Sequence, residues 1–342
     1  MRSAGRPVLI VGCQRSGTTL VRRMCNRHPH MGVMPETHLM PLAWGQRGAL
    51  SRLGRVGVAS WLKAVLPRVN PVWLEKDLES RLEAVSQSFR DDALGSGDAG
   101  LADAPALFSE WLAHWRLTGQ VDRAGEKTPS HIYYLPPLLR SMPGAQAIVM
   151  HRDPRAAGCS EWRKHQSIAA PGRRFTWFRF AVRWASSVRV ASTLEETFGP
   201  SRVLQMRYED VVADPCGAAR SICEFLGEPY EPNMVHVEGS NTSFGSGLDG
   251  SPAGIDDRSV GRWRHELEPE AAARLEVLTA PWMASLDYDR EMGGVATPPP
   301  VQLPLVRAVV SLSARHPMAF NQLASRDRYP GLRPSDFARE DA

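Results

Sequence analysis

Short, continuous apolar runs that end in glycine or polar residues recur along this chain, with segments of helical periodicity between them. Residues 7–11, Pro-Val-Leu-Ile-Val, form the first run, β-branched in part and closed by Gly12. A run of that length bounded by glycine predicts a strand buried on both faces, as in a parallel sheet. Residues 145–151 and 203–210 read the same way, and residues 31–34 predict a shorter strand. From Thr18 the spacing turns helical: Leu20, Val21 and Met24 alternate with Arg22, Arg23 and Arg27 until Pro29 stops the run. Further helices are predicted over residues 74–89, about 130–141, 173–197, 215–226 and 269–286, and on one face of a helix carrying Leu107, Phe108, Trp111, Leu112 and Trp115. Trp44, Leu50, Leu53, Trp61, Leu62, Val65 and Leu66 point to short helices, whose tryptophans read as core packing. The pattern predicts an α/β protein, a parallel sheet flanked by helices. In open sheets of that class ligands bind past the C-terminal strand ends.

The junction between the first strand and the first helix carries the chemistry. Gly12-Cys-Gln-Arg-Ser-Gly-Thr-Thr19 runs from a buried strand into a helix N-terminus. Backbone N–H groups converge at such a junction and the helix dipole adds partial positive charge, which makes a cradle for an anion. Gly12 and Gly17 let the backbone approach a phosphate closely. The nucleoside-triphosphate P-loop reads G-x-x-x-x-G-K-[ST]. Here the two glycines keep that spacing, but Thr18 stands where the lysine belongs and the cation has moved inside the loop, to Arg15. That argues against ordinary Mg-ATP hydrolysis and for another phosphorylated ligand. A second anion site is legible downstream. Arg152 stands at the end of a predicted strand, with Ser160 and Lys164 on one face of the helix that follows. Guanidinium, hydroxyl and ammonium could hold one phosphate together; a salt-bridged helix start is the plainer alternative.

Arg15-Ser-Gly-Thr-Thr-Leu20 resembles the 5′-phosphosulfate loop of the sulfotransferases that use PAPS, 3′-phosphoadenosine 5′-phosphosulfate. The resemblance spans about residues 7–290 and implies a P-loop-like sulfotransferase fold. It assigns Arg15, Ser16, Gly17, Thr18 and Thr19 to the 5′-phosphosulfate, Arg152, Ser160 and Lys164 to the 3′-phosphate, and Tyr208 to the neighbourhood of the adenine. Asn26 to His38 is similar to the tyrosylprotein sulfotransferases, where a helix, a His-Pro turn and a Glu-Thr pair follow the loop at this spacing. There the glutamate is the proposed catalytic base, which implies that role for Glu36; a helix-cap or surface carboxylate is the alternative. His38 stands where those proteins have arginine and is the runner-up base. Glu126-Lys127-Thr128-Pro129 resembles a lysine motif of bacterial and carbohydrate-modifying sulfotransferases, which makes Lys127 the group facing the sulfuryl in transfer; a lysine at a loop rim is its alternative. A late Gly-x-Trp-basic pattern, Gly261-Arg262-Trp263-Arg264, resembles a loop that closes over the nucleotide, with Arg258 and Arg262 as further phosphate contacts and Ser243 at the sulfuryl group.

Composition narrows the class without changing it. Over 342 residues the chain is 43% apolar and 23% charged, as expected of a soluble globular enzyme, and its net charge of +4 suits an anionic ligand pocket better than a nucleic-acid surface. The chain moves straight into its first strand with no charged-then-apolar leader, and no apolar run is long enough to span a membrane, so a cytoplasmic protein is expected. Five cysteines without C-x-x-C spacing predict reduced thiols and no zinc site. No acidic cluster stands ready for a catalytic metal, and none is expected. Residues 1–290 are expected to form the sulfotransferase domain, with about 42–125 a helical insertion that helps shape the acceptor pocket. Residues 291–342 would be a proline-rich linker and tail, in which 303–312 docks as a short helix.

The implied reaction moves a sulfuryl group from PAPS to an acceptor hydroxyl and leaves adenosine 3′,5′-bisphosphate. Glu36 would act as base, and Lys127 and Arg15 would stabilise developing charge. A carbohydrate, glycolipid or small-molecule acceptor is preferred over peptide tyrosine. The rival readings are a P-loop-like kinase and a catalytically silent nucleotide-binding protein. Oligomeric state is not legible.

Overall fold

A computed structural model describes residues 6–50, 53–96, 103–167, 175–237, 255, 257–293 and 302–325. In chain order β1 (Val8–Gly12) leads to α1 (Thr18–Asn26), then β2 (Met31–Met34), α2 (Leu39–Leu50), α3 (Gly54–Val69), α4 (Lys76–Ser96) and α5 (Ala104–Thr118). Next come β3 (Arg123–Lys127), α6 (Leu135–Ser141), β4 (Gln146–His151), α7 (Pro154–Ser167), α8 (Trp177–Phe198) and β5 (Val203–Arg207). Helices α9 (Tyr208–Ala213), α10 (Pro215–Leu226), α11 (Trp263–Glu266), α12 (Pro269–Ala284), α13 (Gln302–Arg315) and α14 (Pro317–Ser325) complete the order. The strands form one five-stranded sheet, ordered β2-β3-β1-β4-β5, and β3 pairs in parallel with both β1 and β2.

The chain divides into two compact units. Among the described residues one holds 6–10, 29–147 and 318–325, and the other holds 11–28 and 148–317. In the first unit the indoles of Trp61, Trp111 and Trp115 are core, as their helical spacing predicted, whereas Trp44, expected there too, is half-buried; Trp73, on the turn after α3, is buried with them. Trp73 and Trp115 meet edge to face at 5.9 Å, and Trp115 Nε1 donates to the Gly32 carbonyl at 2.9 Å, which satisfies the one polar atom of a buried indole. In the second unit α8 packs against α7, α12 and α13. Trp184 Nε1 on α8 donates to the Arg152 carbonyl at 2.8 Å and so fixes the segment just past β4.

Strand β3 was not predicted. Its sequence, Arg-Ala-Gly-Glu-Lys, reads as a polar loop, yet all five residues are buried. The charges are tolerated because they are paired. Arg123 donates to the Arg6 carbonyl at 2.7 Å and to Gln146 Oε1 at 3.1 Å, and Glu126 is enclosed by donors. Gly125 lets β1 pack closely: a Cβ there would lie 2.6 Å from a Val8 methyl. Other boundaries also differ from the pattern. Residues 129–134 form a 3-10 turn ahead of α6, because Pro129, Pro136 and Pro137 interrupt a continuous helix. The strand predicted over 203–210 ends at Arg207, and Tyr208 opens α9 with Glu209 and Asp210 in its first turn. Helix 74–89 is α4, Lys76–Ser96, and helix 173–197 is α8, beginning at Trp177 after the Thr176 cap; 168–174 lie outside the described residues. The predicted helix over 303–312 is the longer α13. None of the described helices is long and apolar enough to cross a membrane.

Candidate active site

Two clusters carry the candidate chemistry, one in each unit. The first is built on the loop after β1. Gly12 has φ 147° and a Cβ there would lie 2.3 Å from the Met150 carbonyl oxygen, so only glycine fits. Gly17 has φ 92° and is the N-cap of α1, and its Cβ would fall 2.3 Å from the Tyr208 ring. Between them Arg15 also takes a left-handed φ, 72°, and Ser16 is buried with its hydroxyl donating to the Cys13 carbonyl at 2.6 Å. Thr18 is buried as the first residue of α1, and Thr19 is half-buried beside it. No side chain caps α1, so its leading N–H groups keep the donor capacity of an anion cradle.

Residues from the end of β4, from α7, from the start of α9 and from the 257–262 turn join this loop. Arg15 Nε donates to Ser160 Oγ at 3.0 Å. Arg152 donates through one nitrogen to the Arg15 carbonyl at 3.2 Å and through another to the Ser259 carbonyl at 2.7 Å. Its guanidinium lies 4.3 Å from the centre of the Tyr208 ring, and the Tyr208 hydroxyl is 2.6 Å from Ser259 Oγ. The Arg152 Nε is buried with no hydrogen-bond partner among the described residues, a donor suited to an anion. The structure thus gathers Arg15, Gly17, Arg152, Ser160 and Tyr208. Lys164 is half-buried one turn along α7 from Ser160, and among the described residues no side-chain contact joins it to this group. Arg262 sits at the start of α11 with Glu266 at 3.9 Å, and Arg258 is exposed. Ser259, between them, is the residue the sequence reading missed. It lies in the pattern segment that was singled out, but an isolated serine gave no signal. Ser243 lies outside the described residues.

The second cluster surrounds Glu36. Its Oε1 receives Lys127 Nζ at 2.5 Å, and its Oε2 is 3.2 Å from His38 Nε2. Lys127 is the last residue of β3 and pairs with Ile10 of β1, two residues before Gly12. His38 adopts φ 51°, a left-handed conformation that costs on the order of 1–2 kcal/mol for a residue with a Cβ. The turn is held by its backbone bonds. The Glu36 carbonyl accepts from Asn70 Nδ2 at 3.2 Å and from Trp73 Nε1 at 3.0 Å, and the Thr37 N–H donates to Glu126 Oε1 and Thr128 Oγ1, both at 3.1 Å. Burial opposes the charge on Glu36, but the Lys127 ammonium and His38 outweigh it and hold the carboxyl well below the usual carboxylate range. The side chain is therefore ionised at neutral pH.

A profile of the Sulfotransferase family matches residues 7–232. The chain belongs to the sulfotransferase family. Protein-tyrosine sulfotransferase 2 of Gallus gallus is 25% identical over 298 residues, covering 82% of this chain and 69% of that protein. Carbohydrate sulfotransferase 2 of Homo sapiens is 29% identical over 160 residues, 42% of this chain and 29% of its own length. Among solved structures, the sulfotransferase domain of the curacin biosynthetic pathway superposes with a TM-score of 0.57 at 21% identity, over 84% of this chain and 99% of that one. The sulfotransferase domain of the Synechococcus PCC 7002 olefin synthase gives 0.55 at 20% identity, over 85% and 98%. These structures share the fold. The enzyme is thus a sulfotransferase with the α/β sulfotransferase fold, as the resemblance of its loop implied.

Proposed function

We propose that this sulfotransferase moves a sulfuryl group from PAPS to an acceptor hydroxyl. The observation that carries this reading is the convergence of Arg15, Arg152, Ser160 and Tyr208 on a glycine loop that has threonine, not lysine, before its helix. The loop N–H groups with Arg15, Ser16, Thr18 and Thr19 would bind the 5′-phosphosulfate. Arg152 and Ser160, with Lys164 reaching in from the next turn, would bind the 3′-phosphate. Tyr208 offers a ring face to the adenine, and Arg262 is a further phosphate ligand if its turn closes.

In the reaction an S–O bond forms to the acceptor oxygen as the S–O bond to the donor phosphate breaks. The acceptor proton passes to Glu36, and the electron pair of the broken bond leaves with adenosine 3′,5′-bisphosphate. Lys127 and Arg15 stabilise charge on the sulfuryl and bridging oxygens. Fixed cations thereby do the work that magnesium does in phosphoryl transfer, and sulfate esters carry less charge to neutralise. The acceptor favoured is a carbohydrate, glycolipid or small molecule, on the Glu126-Lys127-Thr128-Pro129 motif; the extended likeness to tyrosine sulfotransferases keeps peptide tyrosine as the second class.

Glu36→Gln tests the base directly. Turnover of PAPS should fall about 10²- to 10⁴-fold while affinity for adenosine 3′,5′-bisphosphate stays within about twofold. Equal losses in both would remove Glu36 from the role of base, and retained turnover with Glu36→Gln but not with His38→Gln would transfer it to His38.

A further inference from the structure

Glu126 is a fully buried carboxylate in the middle strand of its neighbourhood, one residue before the lysine of the candidate site. A charge in that position is costly unless every lone pair is met. Its Oε1 accepts from the Thr37 N–H at 3.1 Å, from the Thr37 hydroxyl at 3.0 Å and from the Thr128 hydroxyl. Its Oε2 faces His131 Nδ1 at 3.0 Å. The other nitrogen of that ring, Nε2, accepts the Met40 N–H at 3.3 Å, which places the ring proton on Nδ1, the nitrogen nearer Glu126. Phe108 and Tyr134 meet the His131 ring edge-on and keep the pair dry. Burial opposes ionisation of Glu126, but His131 and the hydroxyl and amide donors prevail and hold its carboxyl below the ordinary range.

We propose that Glu126, oriented by His131, is a positioning residue for Glu36: it clamps the peptide that joins Glu36 to Thr37 and so aims the Glu36 carboxylate. The inference rests on the reading of Glu36 as base. That peptide is held at both ends. Its carbonyl is fixed from the α3 side by Asn70 and Trp73, and its N–H from β3 by Glu126 and Thr128. The left-handed His38 that follows persists because its own N–H is held by Thr128 Oγ1 at 3.3 Å. Glu126 is out of reach of an acceptor, since all of its surface is covered. Glutamine in its place keeps the shape but not the pattern. Its amide NH2 would face either the His131 N–H or the threonine donors, and one donor would be orphaned.

The test reads the Glu36 carboxyl itself, by 13C NMR, with its resonance assigned by its loss in Glu36→Gln. The charged groups facing Glu36 are Lys127 from β3 and His38 from its own turn; those around Glu126 are His131 and no second charge among the described residues. In Glu126→Gln the Glu36 resonance should titrate at higher pH than in wild type, because the carboxylate no longer sits against Lys127. His131→Asn, which keeps a donor at the Nδ1 position, should leave it as in wild type, and His131→Leu should move it as Glu126→Gln does. The melting response to adenosine 3′,5′-bisphosphate should persist in all of them and marks each as folded. A wild-type Glu36 titration in Glu126→Gln overturns the proposal. If Glu126→Gln has lost the bisphosphate response, identical titrations in His131→Asn and His131→Leu overturn it instead. A Glu36→Gln protein that still transfers sulfuryl groups at the wild-type rate would fail the base assignment separately, since the titration is read without turnover.

Discussion

His151 shows how a single buried group ties this fold to pH. It ends β4 in a fully enclosed position and meets Gln205 Oε1 at 2.7 Å, a neutral imidazole donating to an amide. Burial pushes its pKa down to about 4, against which the Gln205 bond pulls only weakly. The unfolded chain takes up the proton from about pH 6.5 downward, while the folded chain declines it until about pH 4. Stability is therefore present at neutral pH and is lost as pH falls through that window, by about 3 kcal/mol for this group. The melting temperature of His151→Gln should fall less between pH 7 and pH 4.5 than that of wild type. Parallel curves would mean that His151 is protonated in the native state. Glu36 and Glu126 act lower on the scale. Both are held below the ordinary carboxylate range, so their contributions stay intact at neutral pH and disappear only as pH falls through their depressed values.

At the level of elements, the β1–α1 junction was readable because its requirements are local. A buried apolar run, two glycines at fixed spacing and a change to helical periodicity leave few other structures, and the φ angles of Gly12 and Gly17 agree. Gly17→Ala should therefore abolish the melting response to adenosine 3′,5′-bisphosphate, since the added methyl meets Tyr208 and the left-handed φ is strained; a normal response would show that the loop adjusts freely. Strand β3 was unreadable for the opposite reason. Its identity as a strand depends on partners distant in sequence: Arg6 and Gln146 for Arg123, and Thr37, Thr128 and His131 for Glu126. Without those partners Arg-Ala-Gly-Glu-Lys is a polar loop by any periodicity rule. Lys127 was singled out by its motif, but its reach to Glu36, across 91 positions of sequence, belongs to the tertiary fold. Ser259 was missed because a serine between two arginines draws no notice until Arg152 and Tyr208 are seen to meet it.

At the scale of the whole molecule, the segment past the family match takes part in the fold. Helix α13 lies on α8 and α12 with Val306 and Val310 buried, while Leu305 and Leu312 face outward, both more than half exposed. Val310→Asp should cost on the order of 3 kcal/mol or more, and Leu312→Ala no more than about 0.5 kcal/mol, in chemical denaturation. Equal effects would mean that α13 is loosely attached. The account as a whole depends on which nucleotide the glycine loop accepts, and one measurement addresses that most directly: the melting temperature with adenosine 3′,5′-bisphosphate, beside ATP with magnesium. A ligand that binds only the native state adds about 2.7 kcal/mol at a hundred times its dissociation constant. The account predicts a rise of that order with the bisphosphate and little or none with Mg-ATP. A rise with Mg-ATP alone would contradict it and return the loop to the P-loop kinases from which Thr18 separates it, and a rise with neither would contradict it as well.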